Sequence, residues 1–185
     1  LPGRDTEPPE LDLALGEFRL IVRVTGLTAT GWVGYRLASM KAGDYLNLWL
    51  HHLAINAATP PGAAWNSHWV AEDRDVLLEP VADPAARLTE LLELFWQGTR
   101  RVLHFFPRSA LAYVEKLRAG KSEDEALGAA RRIWAGGDFQ TTPPESADVY
   151  YQLAFRDTDP LDAEFMTIAA TVFAPLFEQA RGEDG

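Results

Sequence analysis

Cysteine is absent from this 185-residue chain, which removes disulfides, thiolate zinc sites and iron–sulfur clusters from consideration. Any metal site would have to be built from carboxylates and the four histidines. Positive charge is also scarce: 17 Lys and Arg stand against 27 Asp and Glu, for a net charge of −10. Phosphate neutralisation supplies most of the affinity of a free-standing nucleic-acid binder. Any DNA met by such a chain is therefore held mainly by other domains or subunits, or by a local basic patch. No apolar run approaches the roughly 18 residues of a membrane span, and no basic-then-apolar leader is visible. These absences predict a soluble module with no membrane contact, and fit a reducing cytoplasm. The opening Leu-Pro-Gly-Arg-Asp-Thr-Glu-Pro-Pro-Glu has a linker composition. The expectation is a piece of a longer polypeptide, with residues 1–10 a linker and 11–185 one folded domain.

The apolar residues are patterned. Over residues 11–37, Leu11, Leu13 and Leu15, then Phe18, Leu20, Val22 and Val24, then Trp32, Tyr35 and Leu37 follow a period near two, with Gly16, Gly26 and Gly31 between the runs. This predicts a β-meander. Leu46, Trp49, Leu50, Leu53 and Ala57 then recur at helical spacing up to Thr59-Pro60-Pro61-Gly62. Two short strands are expected at 67–70 and 76–78. A helix then starts from Asp83-Pro84, carries Leu88, Leu91, Leu92 and Phe95 as an apolar stripe, and stops at Gly98. Further helices are expected from Ser109 to Leu117, from a Ser122/Glu125 capping box to Trp134, from Val149 to Phe155, and from Asp159-Pro160 to about Gln179, with Pro175 bending or breaking the last. The fold class is α+β, a sheet core followed by a helical C-terminal half.

Residues 31–55 have the layout of the core of a metal-dependent nuclease without its ligands. Such a core needs an Asp, then an Asp or Glu followed two residues later by Lys at a strand end, because carboxylates hold Mg²⁺ and the Lys polarises the attacking water. Here the strand end reads Gly34-Tyr35-Arg36. Glycine has no ligand atom, and a permanently protonated Arg cannot act as a base.

Several segments in order carry a resemblance: Asp44-Tyr45-Leu46-Asn47-Leu48-Trp49-Leu50-His51-His52-Leu53-Ala54, residues 91–98, His104-Phe105-Phe106-Pro107-Arg108-Ser109-Ala110 with Tyr113 behind, and residues 169–176. Together they resemble the C-terminal domain of RecC, the gamma subunit of exodeoxyribonuclease V (RecBCD). The resemblance implies a degenerate restriction-endonuclease-like core, like the RecB nuclease domain but without catalytic residues, metal or cofactor. It also implies a place where duplex DNA is split. The implied partners are RecB, RecD, the rest of RecC and, through the assembled complex, DNA. Against the active nuclease pattern, the metal-binding Asp falls near Val22 or Arg23, the second acidic residue at Gly34, the Lys at Arg36, and the helical Gln at or near Trp49.

Arg36 reads as a solvated strand-end charge more readily than as a phosphate contact. His51 and His52 are adjacent on a helix and point about 100° apart, so a helix-surface role is expected in preference to a shared metal. Asp12 and Glu17 are the carboxylates that a nuclease with migrated ligands would use, although an alternating strand and its turn account for them. Of six tryptophans, Trp65 and Trp69, with Phe105 and Phe106 as second candidates, are expected to form an exposed patch that docks on a partner. Arg100-Arg101 and Arg131-Arg132 either complement helix C-termini or, with Arg108, face DNA. The expected function is a non-catalytic scaffold that helps steer DNA strands. The rivals are a Mg²⁺-dependent nuclease with migrated carboxylates and a docking module that never touches DNA.

Overall fold

The computed structural model describes residues 9–28, 31–59, 65–137, 142–156 and 158–181. Strands β1 (Glu10–Leu15) and β2 (Phe18–Arg23) form an antiparallel hairpin, with Leu15 opposite Phe18 and Glu10 opposite Arg23. Gly16 turns the hairpin at φ +60°, where a side chain is strained. Alternation sets the faces. Leu13 and Leu15 are buried, while Asp12 and Arg19 are exposed and pair at 2.7 Å.

The expected meander stops there. Strand β3 (Gly31–Tyr35) enters a different sheet, of order β3-β4-β5-β6, with β4 (Asn66–Val70), β5 (Asp75–Leu78) and β6 (Ala180–Arg181). β3 and β4 are parallel, with Gly34 beside Trp69. Parallel neighbours need a crossover connection, and helix α1 (Ala42–Ala58) lies on that connection, between the strands and not after them. Period two tells which side chains share a face but not which strand is the neighbour, so the meander reading had no information about pairing. α1 packs on the face that carries Trp32, Ser67 and Trp69: His51 stacks on Trp32 with centroids 4.9 Å apart, and His52 Nδ1 lies 2.9 Å from Ser67 Oγ. Tyr45, Leu48, Trp49 and Leu53 fill the core beneath, whereas Leu50, placed on the stripe by spacing, is exposed.

The described residues divide into two compact units, one within Leu1–Met40, Asp44–Leu94 and Gln179–Gly185, the other within Lys41–Gly43 and Phe95–Glu178. Helix α2 (Pro84–Gly98) starts as expected, with Asp83 Oδ1 accepting from the Ala86 N–H at 3.1 Å. Phe95 does not join Leu88 in the core; it is 70% exposed.

Helix α3 (Pro107–Arg118) begins two residues before the expected Ser109. Phe106 stands at its N-cap and has no side chain to bond the first N–H groups. Glu145, in a 3₁₀ turn (Glu145–Ala147), does this from a distance. Its Oε1 accepts from the Arg108 N–H at 3.0 Å, and Oε2 accepts from the Ser109 N–H and hydroxyl, both at 2.8 Å. Helix α4 (Glu123–Ala135) carries the expected capping box of Ser122 and Glu125, and α5 (Val149–Phe155) is capped by Asp148. Helix α6 (Ala163–Gln179) starts later than Asp159-Pro160. Asp159 closes a local turn onto the Leu161 N–H at 3.0 Å, and it is Asp162 that caps, accepting from Glu164 and Phe165. Pro175 does not end α6, which continues to Gln179.

The core of the second unit is aromatic. Phe106 is fully buried, with the rings of Trp134, Tyr151 and Phe155 at 4.2, 5.0 and 5.4 Å between centroids. Ala110 on α3 and Ala126, Ala129 and Ala130 on α4 are buried and small enough to let helices approach closely. Residues 1–8 of the expected linker 1–10, and parts of the expected loops at 60–62 and 138–141, lie outside the described residues.

Candidate functional site

The end of β3 is closed by indoles. A Cβ placed on Gly34 would come 2.5 Å from Trp32 Cη2 and 2.5 Å from Trp69 Cε3, well inside contact distance. The two indoles are 6.0 Å apart, and Trp32 is pinned by its Nε1–H donating to the Thr25 carbonyl at 2.7 Å. A carboxylate at position 34 would have to displace both rings. The place at which the nuclease pattern puts a ligand is therefore occupied by packing.

The other three positions compared with the nuclease pattern have similarly structural surroundings. Val22 is half-buried in β2, opposite Leu11, and belongs to the two-stranded sheet, not to the sheet of Gly34. Arg36 continues the β3–β4 pairing, its N–H donating to the Val70 carbonyl at 2.9 Å, and its Nη1 lies 3.4 Å from Asp44 Oδ1 in the first turn of α1. Trp49 is 1% exposed and stacks on His52, with centroids 5.8 Å apart. Truncating such a side chain costs about 3–5 kcal/mol, so it contributes to stability whatever else it does.

His52 corrects the surface expectation. It is fully buried, bonded through Nδ1 to Ser67 and approached at 3.4 Å by Asn56 Nδ2. Burial pushes its pKa from 6.5 down to about 4. It is neutral at physiological pH. Nothing in the sequence marks this histidine off from its neighbour His51, which is half-buried and donates from Nδ1 to the Asn47 carbonyl at 2.9 Å.

The migrated-carboxylate positions do not converge. Asp12 is held by two hydrogen bonds from Arg19, at 2.9 and 2.7 Å, which keep its carboxyl below the usual range, and Glu17 is exposed in the hairpin turn. Among the described residues, no three His, Asp or Glu side chains are grouped so as to hold a metal ion. An open depression beside the hairpin, lined by Gly16, Asp83, Arg87, Glu90 and Glu93, has no such set either.

The expected docking patch is not assembled from its named residues. Trp69 is 5% exposed and Phe106 0%, so both belong to the cores of their own units. Phe105 is half-buried, 6.2 Å from Phe173 between centroids. Trp65 is half-buried, and its backbone is bracketed by the Asn56 amide at 3.1 and 3.0 Å. Aromatic residues next to polar ones look exposed in a sequence, but an alternating strand buries every second one regardless. The basic candidates are similarly divided. Arg101 pairs with Glu164, Arg131 with Asp159 at 3.2 Å, and Arg108 donates to the Pro143 carbonyl at 2.9 Å. Arg100 lies over Trp96, and Arg132 is exposed.

No helix among the described residues is long and apolar enough to cross a membrane. A search of curated proteins finds no match. A family model described as the RecC C-terminal domain matches residues 1–118, more than half of the chain. With the mixed α+β architecture and the order of its motifs, this makes the chain a member of the RecC C-terminal domain family, that of the gamma subunit of exodeoxyribonuclease V (RecBCD).

Proposed function

We propose that this domain is a non-catalytic scaffold of the gamma subunit, in which a restriction-endonuclease-like core has become a packing element. It acts in the cytoplasm, holds subunits of the complex together and helps steer DNA strands during double-strand-break processing. ATP hydrolysis and strand cutting belong to RecB and RecD. The observation that carries the reading is the pair of indoles packed where a Cβ on Gly34 would stand. A site that had lost only its ligand would be expected to keep room for one. Arg36, engaged with Asp44, adds that the strand-end cation serves the fold.

DNA steering draws at most on Arg100, Arg108 and Arg132, since Arg101 and Arg131 are already paired with carboxylates. Those pairs, and the charge of −10, favour a second reading in which the domain docks proteins and leaves DNA to its neighbours.

The test uses the purified gamma subunit with linear DNA and Mg²⁺ or Mn²⁺. No cleavage is expected, and calorimetric titration with Mn²⁺ should show no site in this domain. Cleavage lost with EDTA and with Asp12→Asn or Glu17→Gln would establish the migrated-carboxylate nuclease instead.

A further inference from the structure

Three apolar side chains stand out in solvent at the end of α2 and just after it: Phe95 at 70% exposure, Trp96 at 47% and Val102 at 56%. Single exposed apolar residues are ordinary, but these share a short segment with a cation of unusual placement. The Arg100 guanidinium lies 4.6 Å from the centroid of the Trp96 ring, within cation–π range. Among the described residues no carboxylate pairs with Arg100, whereas its neighbour Arg101 is bound to Glu164 and to Gln97 Oε1. The turn that carries Arg100 is well tied. The N–H groups of Arg100 and Arg101 donate to the Gln97 carbonyl at 2.9 and 3.0 Å, and Thr99 Oγ1 donates to the Trp96 carbonyl at 2.7 Å. A guanidinium seated over an aromatic ring on a tied turn gives up less freedom on meeting an anion than a free one.

We infer that Phe95, Trp96, Arg100 and Val102 form a docking knob for another protein surface of the same complex, one that presents a carboxylate within an apolar pocket. The inference rests on the scaffold reading above. Charge complementarity selects the partner. A DNA strand offers a phosphate at every nucleotide and rewards several cations at once, but this segment offers one guanidinium that pairs with no carboxylate among the described residues, set over Trp96 and close in sequence to exposed Phe95 and Val102, on a chain of net charge −10. Trp, Phe and Arg at the centre of a patch are the residue types that dominate protein–protein binding energy.

The experiment uses the full-length gamma subunit with Phe95→Ser, Trp96→Ala or Arg100→Glu, titrated with the other subunits. Lys116→Glu, an exposed charge change elsewhere, is the control. Phe95 and Arg100 are solvent-facing, so their variants should keep the fold, which circular dichroism checks. Trp96→Ala and Arg100→Glu should each weaken association by about tenfold or more, Phe95→Ser by a smaller factor, and Lys116→Glu not at all. Unchanged association for Arg100→Glu and Phe95→Ser overturns the inference. So does intact assembly with weakened DNA binding by the assembled complex, which would assign the surface to DNA. Failure of the scaffold reading would appear separately, as metal-dependent cleavage by the gamma subunit alone.

Discussion

Glu145 is the side chain whose loss the second unit should feel most sharply for its size. Its carboxylate is buried, and it takes the Arg108 N–H, the Ser109 N–H and the Ser109 hydroxyl, at 3.0, 2.8 and 2.8 Å. Ser109 is itself fully buried, so water cannot substitute for the lost acceptor. Hydrogen bonds to a charged group contribute about 1.5–3 kcal/mol, and a buried donor left unpaired costs about 1–3 kcal/mol. A carboxylate at a helix N-terminus adds about 0.3–1 kcal/mol. The contributions overlap, because they describe one carboxylate at one helix end. Glu145→Ala should therefore cost about 3–5 kcal/mol. Glu145→Gln should cost about half as much. Its amide oxygen can still take both Ser109 donors, but its NH₂ must then face the Arg108 N–H. Denaturant unfolding measures the totals. Amide hydrogen exchange at Arg108 and Ser109 gives the local answer even if the two units unfold separately. A loss below about 1 kcal/mol for Glu145→Ala, on a scale where a buried unpaired donor alone costs that much, would refute the clamp. So would unchanged exchange at both amides.

Three further outcomes follow from the first unit. Gly34→Ala should destabilise by about 1–3 kcal/mol through overpacking against Trp32 and Trp69; a melting temperature equal to that of the parent would refute the packing argument. Gly34→Asp should cost more and still give no Mn²⁺ heat in calorimetry, and a stable variant that binds Mn²⁺ would show that the site had kept its room. His52 has a folded pKa of about 4 against an ordinary 6.5, so the unfolded chain binds its proton first as pH falls. Stability from this group is full above pH 6.5 and is lost towards pH 4, by up to about 3 kcal/mol. His52→Gln should flatten that part of the stability–pH curve, whatever it does to stability at pH 7, and an unaltered slope would refute the assignment.

What was legible in the sequence was local. The capping box at Ser122, the Asp83-Pro84 start, the two short strands after α1 and the helix of Val149–Phe155 depend on residues a few positions apart, and all are present. What was not legible depends on partners far along the chain. Glu145 caps α3 from a distance, so the helix starts before the Ser that looked like its cap. Trp69 and Phe106 were expected outside and lie inside, because strand pairing and an aromatic cluster supplied neighbours that no periodicity announces. Phe95 went the other way, being in register with the apolar stripe of α2 but exposed in its last turns.

The reading of the strand end was negative, since Gly34 and Arg36 named only what was missing. The structure replaces that with a mechanical statement. Gly34 is flanked by two indoles, Trp32 is tied to the Thr25 carbonyl and stacked on His51, and Trp69 lies opposite Gly34 in the parallel register. Any side chain at position 34 therefore acts on both strands and on α1 together. A carboxylate introduced by one substitution works against all three, so metal chemistry at this place would need Trp32 and Trp69 to change as well. Gly34 and the two indoles are one packing arrangement, and that arrangement opposes a carboxylate at this place more firmly than the mere absence of an acidic residue would.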